Sequence, residues 1–252
     1  MLDYSGRMSE PQHHDLSDGT ARLATDRDVI GLLGLIAYTE LATFGRLAAD
    51  AANAPTLAQR HQLSRHAGKM LARHERVLER IADLGGDPEA EMGAFDGIFD
   101  DFESRTPSST WWEGVLKGYV GHGVADDFCR LAADGLDDES RDLVLEILSD
   151  GVDSERSATV IADAAAADPV LASRLALWGR RLVGEALGLV QTLLSEREGL
   201  GRLLADGAGH RTEAGTPGAA DVTGTAADRQ AWVFSQLTAE HTRRMGRLGL
   251  AA

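Results

Sequence analysis

Apolar residues recur every three or four positions along most of this chain, and the repeat breaks at a few marked turns. From Asp28 to Ala52 the positions Leu33, Ile36, Phe44 and Leu47 predict a long amphipathic helix, and one carboxylate, Glu40, falls inside its apolar stripe. Asp26 or Asp28 suits the N-cap. The helix stops at Asn53-Ala54-Pro55-Thr56, a connection so short that the next helix must lie antiparallel beside it. That second helix covers about 57–84, with Leu63, Ala67, Met70, Leu71, His74, Leu78 and Ile81 facing inward. Gly85-Gly86-Asp87-Pro88 ends it. The acidic connection 89–107 carries Phe95, Ile98, Phe99 and Phe102, which suit a short amphipathic helix lying across the others.

A third long helix begins between Ser108 and Trp111 and runs to Asp134 or Gly135, with Leu116, Val120, Gly123, Asp127 and Leu131 on one face. Asp137 or Asp138 caps a fourth, expected to continue to about Ala167 with Leu143, Ile147, Asp150, Ser154 and Ile161 aligned. Pro169 opens a fifth, expected from Val170 to about Leu204. Residues 206–227 are rich in Gly, Ala and Thr and read as a flexible linker. A last amphipathic helix, 229–248, presents Trp232, Phe234, Leu237, Met245 and Leu248, and is expected to dock on the bundle or on a second subunit. Residues 1–25 are polar and read as a loosely attached tail. Alternating strand patterns are missing, so the fold class is all-α.

Composition narrows the function. With 252 residues and 43% apolar content, one helical domain with tails is expected. The net charge of −15 argues against a broad nucleic-acid footprint, which needs a basic surface. Cys129 is the only cysteine, which leaves no internal disulfide and no Cys/His zinc framework, and it reads as a small buried residue. A signal peptide and a bilayer-spanning run are not expected, so the cytoplasm is the default compartment. Phosphate loops, nucleophile elbows and dinucleotide fingerprints do not occur.

The polar residues on the inner stripes are the candidate chemistry. They are Glu40, His74, Asp127 and Asp150, with Asp153 beside the last. Di-iron sites in ferritin-like bundles take a Glu from each of two helices and a Glu-x-x-His pair from each of the other two. Here the second helix has Leu71 three residues before His74, and the fourth has Asp153 three residues after Asp150. Counting from the turn at 53–56, Glu40 lies level with Ala67 to Leu71, and His74 falls about a turn further along. Each residue also has a plainer reading. Glu40 pairs with a buried arginine or with His74; His74 is a hydrogen-bonded core histidine; Asp127, Asp150 and Asp153 lie on solvated faces. His66 and His122 are further candidates. Arg180 and Arg181, set among Leu, Trp and Val, suggest internal salt bridges or, alternatively, an anion pocket.

Several short motifs occur in an order that resembles a known group. They are Ala37-Tyr38-Thr39-Glu40-Leu41, Leu84-Gly85-Gly86-Asp87-Pro88, Trp112-Glu113-Gly114 with Lys117-Gly118-Tyr119-Val120, and Ala125-Asp126-Asp127-Phe128. Two more are Leu177-Trp178-Gly179-Arg180-Arg181-Leu182-Val183-Gly184-Glu185-Ala186 and His241-Thr242-Arg243-Arg244-Met245. Over roughly Asp28 to Leu250 the chain resembles actinobacterial ferritin-like proteins related to the tRNA hydroxylase (MiaE-like) that acts on methylthio-isopentenyl-adenosine. The resemblance implies an up-down ferritin-like bundle, a tRNA partner and, in intact members, a non-haem di-iron centre that activates dioxygen. It carries the metal-ligand role to Glu40 and His74, and to Asp127 and Asp150 less closely, for iron or manganese; Leu71 and Asp153 depart from its pattern. The leading expectation is thus a ferritin-like relative of the hydroxylases with an altered metal site, as a homodimer without a membrane partner. The rival is a non-enzymatic scaffold or binding protein that uses the bundle surface and C-terminal helix. A third possibility is a metal-free pocket for an apolar ligand between the helices.

Overall fold

A computed structural model describes residues 24–149, 151–213 and 225–252, the side chains of 151–154 and 209–213 excepted. Helix α1, Asp26–Ala52, and helix α2, Leu57–Asp83, form the expected antiparallel hairpin. The Thr25 backbone N–H donates to Asp28 at 2.9 Å to start α1, and Thr56 Oγ1 accepts from Gln59 N at 3.2 Å to start α2. Two short helices, α3 Pro88–Gly93 and α4 Asp100–Arg105, occupy the connection for which one was expected. Helix α5, Trp111–Ala133, opens with a capping box: Glu113 N donates to Thr110 Oγ1 at 3.3 Å and Thr110 N to Glu113 Oε2 at 3.2 Å.

The expected fourth helix is two helices, α6 Asp138–Leu148 and α7 Gly151–Ala167. Ser149 ends α6, its hydroxyl turned back onto the Glu146 carbonyl at 2.7 Å. This break changes the bundle. Helix α6 packs on α5 and α2, whereas α7 packs on α5 and α8. The expected fifth helix also divides, into α8 Pro169–Glu196 and α9 Glu198–Glu213. At the division Arg197 leaves helical geometry (φ −123°, ψ 81°), and its guanidinium donates to the Ala94 carbonyl and lies over the Phe95 ring. Helix α9 therefore folds back on α1 and α5, and Arg202 clamps the buried Asp28 through two bonds of 2.7 and 2.9 Å. It continues to Glu213, well into the stretch expected as linker, and α10 begins before that stretch ends; residues 214–224 and 1–23 lie outside the described residues. Helix α10, Ala226–Arg247, docks on α5, α8 and α9 of its own chain.

One continuous core joins Leu32, Leu33 and Ile36 of α1 to Val77, Leu116, Phe128, Ile147, Leu182, Leu203 and Leu237. A small separate cluster of Leu47, Ala67 and Met70 closes the far end of the α1–α2 hairpin. Contrary to the expectation from sequence, α1 is long and apolar enough to cross a membrane by length and composition; in the fold, 61% of that apolar window is buried. A buried helix of a bundle is hydrophobic nearly all round for the same reason a spanning one is.

The return of α9 depends on small residues. A Cβ built on Gly135 would run into the backbone carbonyl of Leu203, which has no side-chain freedom with which to yield. Gly135→Ala is expected to cost about 1 to 3 kcal/mol in urea unfolding, the range for overpacking a tight contact. An unchanged midpoint would show that α9 does not approach α5 this closely.

The bundle interior as candidate binding site

Helix α1 places Glu40 in the core at 1% exposure. Its Oε2 has no hydrogen-bond partner among the described residues. Burial pushes the carboxyl up to about 8; the charge of Asp126 adds to the shift and that of Arg73 opposes it. Glu40 is therefore protonated at neutral pH. His74 is buried too, and its Nδ1 lies 2.9 Å from the carbonyl of Ala37. Only a donor meets a carbonyl, so Nδ1 carries the proton. This contact sets the register of the hairpin. Residue 74 is level with residue 37, so Glu40 stands opposite Leu71, and His74 lies about 4.5 Å further along the axis. The one-turn stagger expected from sequence is present.

The third-helix carboxylate whose charge reaches Glu40 is Asp126, not Asp127. His122 Nε2 lies 3.5 Å from Asp126. Asp127 instead receives Arg244 of α10: Nη2 donates to Oδ2 at 2.6 Å and to the Gly123 carbonyl at 3.0 Å. Burial raises the Asp127 carboxyl despite this pair. Asp150 and the Asp153 side chain lie outside the described residues. Burial, with Asp126 and Glu40 adding to it, raises the Cys129 thiol, so it stays protonated and unreactive.

The ferritin-like pattern calls for carboxylates and imidazoles converging on two cations. Among the described residues no three of His, Cys, Asp and Glu come together to hold a metal ion. Leucine stands level with Glu40 where the pattern needs glutamate, and the cation nearest in effect is the guanidinium of Arg73. Among the described residues this donor set does not make up a dinuclear centre.

What the bundle does contain is a chamber of about 980 Å³, half open to solvent. Its walls come from α1, α2, α5, α7 and α10, with Leu148 at the end of α6 beside the break between α6 and α7. Gly114, Gly118, His122, Asp126 and Arg130 line it along α5, each four residues after the last. That column of small and polar residues at four-residue spacing is legible in the sequence itself. Two glycines of α5 admit arginines: a Cβ on Gly118 would stand 2.6 Å from both Nη atoms of Arg46, and one on Gly123 would overlap the Arg244 guanidinium. Arg46 also pairs with Asp50 at 2.9 Å. Three buried polar atoms on the chamber wall have no partner among the described residues, namely Trp111 Nε1, His122 Nδ1 and Arg244 Nη1. Two of these can only donate.

The fifth-helix arginines do not form internal salt bridges. Both Arg180 and Arg181 are exposed; Arg181 donates to the Arg105 carbonyl at 2.5 Å and lies over the Trp178 ring, while Glu185 is met by Arg105 at 3.6 Å. In the C-terminal helix Arg243 faces outward to Glu240, and Arg244 turns in.

Long helices, a crossover between two hairpins and a polar interior define the class of ferritin-like bundles. The family model for the ferritin-like domain of actinomycetes matches residues 24–207, and the chain belongs to that family. A comparison with curated proteins gives no match.

Proposed function

We propose that this ferritin-like chain is a binding protein that holds a small molecule in the chamber between its helices, and that it is not a di-iron hydroxylase. One observation carries the reading: the space between the helices is a chamber of ligand-site size bordered by buried polar atoms that have no protein partner among the described residues. Unsatisfied buried donors are costly, and a bound acceptor relieves that cost. The resemblance to the tRNA hydroxylases favours oxygen chemistry. Against it stands Leu71, level with Glu40 where the di-iron pattern needs a carboxylate. The charge of −15 weighs against a tRNA substrate. The scaffold reading loses its strongest support because α10 docks within its own chain.

Ferrous iron titrated anaerobically into the full chain, followed by desalting and metal analysis, tests the proposal. Far less than one iron per chain is expected to remain. A pair of irons retained per chain would overturn it.

A further inference from the structure

We propose that an apolar pocket beside the chamber is a binding site in its own right, for a neutral, carbon-rich molecule. This site is independent of what the chamber holds. The pocket measures about 330 Å³ and is walled by Leu35, Phe99, Phe102, Phe128, Leu189 and Leu193. These side chains come from α1, α5, α8 and α4 with its N-cap. Helix α5 stands between the two spaces: Val124, Ala125 and Phe128 border the pocket, whereas Gly123, Asp126 and Asp127 border the chamber.

The partners of the polar wall groups fix the polarity of the occupant. Lys117 Nζ donates to Glu103 Oε2 at 2.5 Å and to the Thr106 carbonyl at 2.9 Å. Arg46 pairs with Asp50 at 2.9 Å, and His122 Nε2 lies 3.5 Å from Asp126. The Thr39 hydroxyl is turned back on its own helix, donating to the Leu35 carbonyl at 2.8 Å. An ionic ligand would leave water for a wall whose charges already face one another, and its lost hydration would go uncompensated. A neutral, carbon-rich ligand gives up little hydration and buries its surface against phenylalanine rings.

The room is left open rather than forced by packing. Gly121 lies in the middle of α5, where glycine weakens a helix relative to alanine. A Cβ built there would meet the Phe102 ring at 3.5 and 3.6 Å, an ordinary contact. Close packing therefore does not demand this glycine, in contrast to Gly123 and Gly135. The helix gives up stability at a point where the result is space, as binding sites commonly do. An apolar cavity of about 150 Å³ takes up benzene. This pocket, about twice that size, suits two fused rings or a chain of about ten carbons.

Calorimetric titration of the full chain with naphthalene, decanol and 2-naphthoate tests the assignment. At least one neutral probe is expected to bind at one per chain, and the tighter of the two tells ring from chain. 2-Naphthoate, which adds a charge to the naphthalene shape, is expected to bind about tenfold more weakly than the tighter neutral probe, or worse. Ala125→Leu, whose larger side chain fills the pocket and leaves every charge in place, should weaken that probe by about tenfold or more. Gly121→Ala narrows the same wall by one methyl. It should weaken the probe by about fourfold while raising the melting temperature by about 2 °C, and it decides the matter if Ala125→Leu fails to fold. Failure of both neutral probes to bind, 2-naphthoate binding as tightly as they do, or neutral binding indifferent to both variants would each overturn the proposal.

Discussion

Replacing Arg244 by methionine is expected to cost this fold about 3 to 5 kcal/mol, the range for removing one partner of a buried ion pair. Arg244 and Asp127 are both almost wholly shielded, at 7% and 11% side-chain exposure. Their 2.6 Å contact ties α10 to α5, and the second bond to the Gly123 carbonyl works only because residue 123 has no side chain. Methionine fills similar space but leaves Asp127 facing Arg130 alone, at 3.8 Å. An uncompensated carboxylate in that position takes up a proton or opens the helix contact. Arg244→Met with Asp127→Asn should recover part of the loss, because the orphaned charge is gone. Urea unfolding of the two single variants and the double variant measures this. Additive losses would show that the two side chains do not act as a pair.

Glu40→Gln is expected to act in the opposite direction and to raise stability by about 3 kcal/mol at pH 7. The sign follows from linkage. The folded-state carboxyl titrates at about 8, above its ordinary value of 4.5. Its contribution is therefore fully present below pH 4.5 and is lost as pH rises through 8, because the unfolded chain releases the proton that the folded chain must keep. Glutamine keeps the shape and hydrogen-bonding ends and removes the titration. The gain should be small at pH 4.5, grow through neutrality and level off above pH 8. His241 shapes the acid side. Burial brings its ring down to about 4, so its contribution holds above pH 6.5 and fades as pH falls through 4. A Glu40→Gln variant less stable than the parent at pH 8 would mean that Glu40 is ionised and held by a cation.

Much of this was legible in the chain. The α1–α2 hairpin follows from Pro55 and the apolar spacing, and the His74 contact with Ala37 reproduces the stagger that counting residues gave. The burial of Glu40 followed from its place in the stripe. Other features were hidden for physical reasons. The break at Glu196 lies in a stretch of good helix formers, where tertiary contacts such as Arg197 with the Ala94 carbonyl override propensity, whereas the break after Leu148 coincides with Ser149, Asp150 and Gly151, poor helix formers that do mark it in the sequence. Asp126 and Asp127 differ by one residue, which is 100° of helix rotation, so pattern alone could not say which faced Glu40. The inward turn of Arg244 is not legible in the sequence, because it is recognisable only once its carboxylate and glycine partners are in place.

Anomalous diffraction at the iron edge, from crystals of the full chain grown with ferrous iron, tests the central claim most directly. The account predicts no iron peak beside Glu40. A pair of iron peaks bridged by Glu40 would contradict it.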